Sequence, residues 1–381
     1  MKPRVLTHAH LVTGTAEWPD GFIRFAETVQ NVGPMTAFAP RPGEAVTDVH
    51  GDLIVPGFID VHVHGGYGVD AMDGDAAAIA GMAERIAAAE GVTTLFPTTM
   101  TQSPGAIDRA VAGIAQAATL TPLIQGIHLE GPFISPVYKG AQPAAYIQPA
   151  SAETIARWQR LARGLIRLVT YAPEVGEPRD FEAYCQHHGI ALSIGHSDAT
   201  RATLLHCPAR HVTHLYNAQR LAVHREAGVM GHGLLEPAIT CELIADGFHN
   251  APDMLELAYR LKGPGRLELV TDAMRAKGLG DGQSELGGQT VTVRGVEARL
   301  ADGTIAGSVL PFDRAFANIQ RYTAADLAAA VQMASVNQAQ EFGLTHKGLL
   351  VAGRDADLNR LTQDMDLVAT YSRGRLLDRK D

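Results

Sequence analysis

The sequence predicts a (β/α)₈ TIM barrel with a small β-sandwich domain built from both termini. Three observations lead to this fold class. Short β-like runs alternate with Ala-rich helical runs through the middle of the chain, both ends are β-like without a helical period, and metal-binding residue types recur where the middle strands end. With 381 residues, 46% of them hydrophobic, the chain is long enough to bury a barrel and a smaller domain.

The two ends of the chain have similar sequence patterns. Short β-like runs broken by Gly and Pro lie at residues 4–6, 22–25, 356–358 and 367–371, and Gly374 marks a turn. We therefore expect a small β domain from residues 1–52 and 350–381, leaving residues 53–349 for the barrel.

Eight β-like runs in the middle of the chain supply the barrel strands. A typical intervening helix is 76–89, which Asp73 and Asp75 open and Gly91 closes. A doubly wound open sheet is the alternative, but no G-x-G-x-x-G follows a strand and no Walker sequence is present. The predicted strands are 53–62, 91–98, 122–129, 165–170, 190–194, 211–215, 240–245 and 267–270.

Composition argues against several function classes. A formal charge of -9 disfavours a nucleic-acid surface, although a few local cations would suffice for one small anionic substrate. No run approaches the roughly 20 apolar residues that span a bilayer, and the N-terminal segment lacks the apolar core of a signal peptide. Cys185, Cys207 and Cys241 show no C-x-x-C spacing, so we predict reduced, buried thiols and a cytoplasmic protein.

A His-x-His pair ends the first predicted barrel strand. Alternate side chains of a strand share one face, so His62 and His64 point the same way, as two ligands of one metal require. Ordinary strand histidines also give this spacing. A metal site therefore needs further ligands besides this pair.

The later strand ends strengthen this interpretation. The carboxyl ends of barrel strands converge, so residues far apart in sequence become neighbours there. Imidazole and carboxylate ligands suit one or two divalent ions, with Zn or Fe favoured and Mn or Co also open. The residues at the ends of the first and later strands that we assign as metal ligands are His62, His64, Glu130, His196, His214 and Asp272.

Two carboxylates in this set receive specific roles. Glu130 is suited to bridge two adjacent ions, and Asp272 is suited to take a proton from a metal-activated water and give it to a leaving amine. The alternative for Asp272 is a helix N-cap after the eighth strand. His128 shares a strand face with Glu130 and is predicted to support the site without ligating, whereas the ten histidines outside this context, His211 and His232 among them, are read as surface or structural. No G-x-S-x-G elbow supports a nucleophilic serine.

Beyond these residues, the chain resembles the N-acetylglucosamine-6-phosphate deacetylases of the amidohydrolase superfamily. The similar segments follow the family order over almost the whole chain, and HLEGPF with THLYNA is the most specific combination. The segments are PGFIDVHVHG, GVTTLFPT, HLEGPFISPVYKGA, SIGHSDA, THLYNA, HREAG, IADGFH, LVTDA, GTIAGS and LLVAGRDADL.

The resemblance implies metal ligation by Glu130, His196 and His214, with Asp272 as catalytic acid and base. The retained His62 and His64 make a second metal plausible. Many amidohydrolases outside this branch bridge their metals with a modified Lys at the end of strand four. Residues 165–171 offer no Lys here, which agrees with a bridging Glu130.

The same resemblance implies a sugar-phosphate substrate and a homodimer. Asn217, Ala218, His249 and an Arg225 supplied by the neighbouring subunit are expected to receive the phosphate, for which guanidinium and imidazole donors are suited. A solvated loop charge is the simpler interpretation of Arg225 alone. The other residues expected at the substrate are Ala141, Gln142, Ile305, Ala306 and Gly307.

Departures from the family pattern lie on the substrate side. Gln142 replaces a His expected to contact the sugar, Gln219 replaces a Met, and Ala227 replaces a Pro. The resemblance implies deacetylation of N-acetyl-D-glucosamine 6-phosphate. Because the departures lie on the substrate side, the galactosamine epimer, or another acylated amine or cyclic amide, stays as an alternative. A catalytically silent scaffold or sugar-phosphate sensor is disfavoured because the full ligand set is present.

Overall fold

A closed parallel barrel forms the centre of the computed structural model, which describes residues 2–378. Each barrel strand pairs with the next along the chain. The last strand returns to the first, where the Asp272 amide donates to the His62 carbonyl at 2.8 Å, and the predicted TIM barrel is confirmed. The strands are Phe58–Val63, Val92–Thr99, Ile127–Glu130, Ile166–Tyr171, Ala191–Ile194, His211–Val212, Thr240–Ile244 and Leu267–Val270.

Helices cover the outside of the barrel. The first, Ala76–Glu90, agrees with the predicted 76–89: the Asp75 carboxylate accepts from two backbone amides of its first turn, and Gly91 ends it with φ +79°. A π-helical turn, Gln332–Val336, interrupts the last helical segment. The other helices are Pro104–Ala117, Ala152–Leu161, Arg179–His187, Arg201–Leu204, Gly228–Leu235, Pro252–Lys262, Phe312–Tyr322, Leu327–Val331 and Asn337–Glu341, with 3₁₀ turns at Met35–Ala37, Ala71–Asp73, Ala144–Tyr146 and Pro264–Arg266.

Both ends of the chain join one eight-stranded sheet, as predicted for a β unit built from the two termini. Its residues form a separate apolar core that includes Ile23, Phe25, Leu358 and Tyr371. The proposed division at residues 52/53 and 349/350 stays a prediction. The strands are Arg4–Val12, Glu17–Phe25, Val29–Pro34, Ala45–Asp48, Leu53–Pro56, Leu358–Leu361, Leu367–Ser372 and Arg375–Leu377.

The predicted first barrel strand, 53–62, is two strands in the structure. Leu53–Pro56 pairs antiparallel with Leu358–Leu361 in the terminal sheet, whereas Phe58–Val63 belongs to the barrel. Gly57 lies at the break, where a Cβ atom would come 2.2 Å from the Thr93 hydroxyl oxygen. Only glycine allows this close approach, so the chain passes directly from one sheet to the other.

A three-stranded antiparallel sheet after the eighth barrel strand was not predicted. It consists of Gly282–Leu286, Gln289–Arg294 and Glu297–Leu300. Its buried side chains pack with Met100, Met274 and Ala306 in a small apolar cluster. This cluster supports the loop that carries Ile305 and Gly307 beside the open end of the barrel.

The cysteines and helices allow two further comparisons with the sequence. Cys185, Cys207 and Cys241 are free thiols, but only Cys185 and Cys241 are buried. The prediction that all three are buried is wrong for Cys207, which lies partly exposed beside the Tyr171 hydroxyl at 3.0 Å. Within residues 2–378, no helix has the length and apolar composition needed to cross a bilayer.

Candidate metal and active site

Two groups of possible metal ligands meet at the carboxyl ends of the barrel strands. The first group contains His62 and His64 from the first strand and its following turn, together with Asp272 after the eighth. Asp272 Oδ1 lies 3.4 Å from His62 Nε2 and 3.3 Å from His64 Nε2. The alternate spacing on the first strand therefore directs both imidazoles to one carboxylate.

The second group contains Glu130, His196 and His214. Glu130 Oε1 lies 3.1 Å from His196 Nε2 and 3.0 Å from His214 Nε2, and those two nitrogens are 3.1 Å apart. Its other oxygen, Oε2, is 3.2 Å from His64 Nε2. Glu130 thus contacts both groups, as a carboxylate shared between adjacent cations would.

Hydrogen bonds at Nδ1 direct the Nε2 atoms of three imidazoles into the site. His62 Nδ1 donates to Glu242 at 2.9 Å, His64 Nδ1 to the Thr98 carbonyl at 3.2 Å, and His196 Nδ1 to the Tyr138 carbonyl at 2.9 Å. Such partners fix the tautomer that leaves Nε2 free for a metal. Among residues 2–378, the buried His62 Nε2 has no hydrogen-bond partner, so the donor set fits a metal ion.

The charges in the site are strongly coupled. Burial alone would raise the pKa of Glu130, but the imidazoles around it hold that pKa well below its usual range. Burial opposes the charged form of His62, yet Glu242, Asp272 and Glu130 raise its pKa to about 9. The pocket therefore favours positive charge among its carboxylates, which a divalent cation supplies.

Three of these possible metal ligands have a left-handed backbone conformation. The φ angles are +48° at His196, +30° at His214 and +49° at Asp272. Residues other than glycine rarely adopt this region, and such backbone strain concentrates at functional sites. Each of these residues lies two positions after the end of a barrel strand, and its side chain lines the cavity described next.

A cavity of about 250 Å³ opens onto these ligands. Arg225 and Ala306 are not on its wall: Arg225 is exposed on a separate loop, and Ala306 is buried in the small apolar cluster. None of the wall residues is Lys or Arg within the part of the chain that the structure describes. The predicted substrate residues that do line the cavity are Ala141, Gln142, Asn217, Ala218, His249, Ile305 and Gly307.

Gln142 makes internal hydrogen bonds that the sequence did not predict. Its side-chain amide donates to Glu130 Oε2 at 2.7 Å, and its oxygen accepts from the Thr101 amide at 2.6 Å. Both polar ends of the side chain are therefore occupied inside the protein. Gln142 therefore orients the Glu130 carboxylate, and because it also lines the cavity, its contact with the sugar stays a prediction.

Sequence reasoning missed Glu242, which lies inside the barrel beneath the ligands. Its Oε2 accepts from His62 Nδ1 and from the His214 amide, both at 2.9 Å, and its Oε1 accepts from His211 Nε2 at 3.1 Å. The only signal was a charged residue inside the apolar strand Thr240–Ile244. His128 lies beside His62, with ring centroids 4.5 Å apart, and bonds Thr170 Oγ1 at 2.7 Å.

Asp272 is not a helix cap, which was the alternative considered from the sequence. The next α-helix begins at Phe312 after Pro311, and the Asp272 carboxylate instead contacts His62 and His64.

A TIM barrel with two adjacent groups of His and carboxylate residues at its strand ends is typical of metal-dependent hydrolases. The family comparison agrees, because residues 53–377 match the model of the amidohydrolase family, and the chain belongs to that family.

Closely similar relatives place the chain on the N-acetylglucosamine-6-phosphate deacetylase branch, which confirms the resemblance. The Bacillus subtilis enzyme of that name is 39% identical, covering 94% of this chain and 91% of its own, and the human one is 36% identical, covering 90% and 87%. A point mutant of the Mycobacterium smegmatis deacetylase, solved with N-acetyl-D-glucosamine-6-phosphate, superimposes with a TM-score of 0.92 at 31% identity, covering 99% and 100%. An Escherichia coli O157:H7 N-acetylgalactosamine-6-phosphate deacetylase is 32% identical, covering 98% of both chains.

Proposed function

We propose that this protein hydrolyses the acetamide of N-acetyl-D-glucosamine 6-phosphate to D-glucosamine 6-phosphate and acetate. The observation that carries the proposal is the pair of ligand groups joined by Glu130 at the base of a sugar-sized cavity. Relatives of this name across nearly the whole chain support the choice of substrate.

One or two divalent ions would be held by the two groups, with Zn or Fe favoured by the imidazole and carboxylate donors and Mn or Co also suitable. A bound ion polarises an amide carbonyl and lowers the pKa of a coordinated water. His62 and His64 would hold one ion with Asp272, and His196 and His214 the other, while Glu130 contacts both groups.

Asp272 is the proposed proton carrier. Burial alone would raise its pKa, but His62 and His64 outweigh burial and keep that pKa below its usual value, so the carboxylate is ionised and able to accept a proton. Because Asp272 lines the cavity, it can take the proton of the attacking water and deliver it to the leaving sugar nitrogen. Asn217, Ala218 and His249 would position the sugar and its phosphate.

A homodimer completes the phosphate site in this proposal. No Lys or Arg of the described residues lines the cavity, whereas Arg225 is exposed on the Val223–Glu226 turn. A neighbouring subunit could therefore supply Arg225 to the phosphate, which guanidinium binds in bidentate fashion. We further propose a cytoplasmic location, on the basis of three free thiols.

The galactosamine epimer is the second candidate substrate. Gln142 forms hydrogen bonds with Glu130 and Thr101. The cavity wall that faces the sugar therefore differs from the wall that a His at this position would form. The relative named N-acetylgalactosamine-6-phosphate deacetylase supports keeping this option.

Acetate release from three substrates tests these assignments. Metal-loaded protein is given N-acetylglucosamine 6-phosphate, its galactosamine epimer, and unphosphorylated N-acetylglucosamine, and kcat/KM is compared. Preference for the first supports the proposal, and preference for the epimer keeps the reaction and changes the substrate. Indifference to phosphate favours another acylated amine or cyclic amide, and no release from any of them rejects the reaction.

A further inference from the structure

A second cluster of ionisable groups lies at the opposite end of the barrel interior. His211 begins the sixth barrel strand, Glu268 is the second residue of the eighth, and Glu341 ends the last helix. Each offers a ligand atom within 4.8 Å of the others. His211 and Glu268 are fully buried, and the Glu341 side chain is 17% exposed. We call these three residues the floor cluster.

Negative charge dominates the floor cluster. His211 contacts Glu341 Oε1 through Nδ1 at 2.7 Å and Glu242 Oε1 through Nε2 at 3.1 Å, so one imidazole lies among three carboxylates. Neither carboxylate oxygen of Glu268 has a hydrogen-bond partner among residues 2–378. A buried carboxylate without hydrogen bonds is strongly unfavourable unless a proton or a cation accompanies it.

Glu242 orients the His211 imidazole by a hydrogen bond, as it does the His62 imidazole. One Glu242 oxygen holds His62 at Nδ1 and leaves Nε2 toward the active site, and the other holds His211 at Nε2 and leaves Nδ1 toward Glu341. A carboxylate on the far nitrogen is the usual support of a metal-binding imidazole. The floor cluster therefore has a supported imidazole as well as two carboxylates.

A cavity of about 500 Å³ reaches the floor cluster at Glu341. Glu341 is on its wall, with Asn337 and Thr240 nearby. Arg210 and Arg266 also line the cavity, but both are exposed to solvent. Glu341 is therefore the member of the floor cluster that faces the cavity, and His211 and Glu268 are buried next to it.

We propose that His211 Nδ1, Glu268 and Glu341 bind a divalent cation separate from the active-site ions. Two carboxylates and one imidazole, with water from the cavity in the remaining positions, suit Mn²⁺ or Zn²⁺. The ion takes the place of the proton between His211 and Glu341 and neutralises Glu268. Its role is to stabilise the barrel interior, and it does not depend on the deacetylase reaction.

Burial and the charge of Glu341 raise the pKa of Glu268 well above its usual range. This direction agrees with the geometry, because neither oxygen of the buried Glu268 carboxyl has a hydrogen-bond partner among residues 2–378.

Metal counting tests the proposal. Wild type, Glu268→Gln and the exposed control Glu153→Gln are equilibrated with Mn²⁺ and, separately, Zn²⁺, and bound ions per chain are measured by mass spectrometry. The proposal expects Glu268→Gln to lose one ion per chain, with at least about tenfold weaker binding, while turnover and the active-site ions remain. The control should bind as many ions as the wild type.

Two further measurements locate the ion. A His196→Asn, His214→Asn double variant should keep the floor ion, and crystals soaked in Mn²⁺ should show anomalous density between His211 and Glu341. Equal ion counts in wild type and Glu268→Gln, or anomalous density confined to the active site, would overturn the proposal. Failure of the deacetylase assay would leave these counts unaffected, so the two proposals can fail separately.

Discussion

Replacing Glu242 should weaken metal binding at the active site even though Glu242 is not in either active-site ligand group. Its two oxygens accept from His62 Nδ1, the His214 amide and His211 Nε2 at 2.9, 2.9 and 3.1 Å. Glu242→Leu leaves three buried donors without an acceptor and frees the His62 ring to rotate. Loss of such a supporting carboxylate typically costs 10–100-fold in metal affinity, which is about 1.4–2.8 kcal/mol.

Glu242→Gln separates charge from geometry. The amide oxygen can still accept from His62 and His214, while the amide nitrogen faces His211, which can accept through Nε2 after a change of tautomer. Only the negative charge is lost, so we expect about a tenfold weakening, at the lower end of that range. The Gln variant should therefore lie between wild type and the Leu variant.

Competition with a chromogenic chelator measures the affinity, in a Glu268→Gln background so that active-site ions alone are followed. Glu90→Gln is the matched control: Glu90 accepts from Tyr67, Lys277 and the Phe312 amide at 2.9–3.0 Å but touches no metal ligand. It should lower the free energy of unfolding without changing metal affinity. Affinity within twofold of wild type in Glu242→Leu, or equal weakening in Glu90→Gln, would refute the reasoning.

Three other predictions address separate parts of the molecule. Asp272→Asn should reduce kcat at least about a thousandfold while most bound metal remains, measured by acetate release and metal content; unchanged kcat would remove Asp272 from its role. Burial and the Arg201 charge lower the pKa of His232 to about 4. Because the unfolded chain binds this proton more readily, the free energy of unfolding should fall as the pH drops from about 6.5 to 4. The variant His232→Gln should flatten that part of the curve of Tm against pH. In Gly113→Ala the new methyl group would lie 2.2 Å from the Gly74 carbonyl oxygen, so urea unfolding should show a loss of about 1–3 kcal/mol, and an unchanged midpoint would contradict the close packing of these segments.

The fold could be predicted where the local pattern agrees with the final packing. The helix at Ala76–Glu90 has both of its end signals in the sequence, and the eighth strand was placed with the correct bounds. The break at Gly57 was missed because it depends on the Thr93 side chain, which belongs to another strand. The sheet that begins at Gly282 alternates in its middle strand, but its packing against Met100 depends on contacts far apart in the chain.

The site could be predicted where it depends only on the ligand types and on the alternation of side chains along a strand. His62 and His64 share a face by spacing alone, and the barrel brings Glu130 to them. Glu242 could not be found this way because its partner His62 is 180 residues away. The hydrogen bond from the Gln142 amide to Glu130 was also missed, since nothing in the local sequence indicates it.

The barrel interior explains why single changes in this protein should have wide effects. In the first and seventh barrel strands, alternate residues such as Val61 and Leu243 belong to the apolar core, and the residues next to them, such as His62 and Glu242, are ionisable and contact each other inside the barrel. Burial of the apolar side chains stabilises the fold, and the inward-facing ionisable side chains are tolerated only because their charges compensate one another. Removing one inward charge leaves its partner buried and unpaired, which costs more than removing both. Glu242 therefore links the geometry of the active site to the ionisation of the floor cluster, two regions that share no ligand.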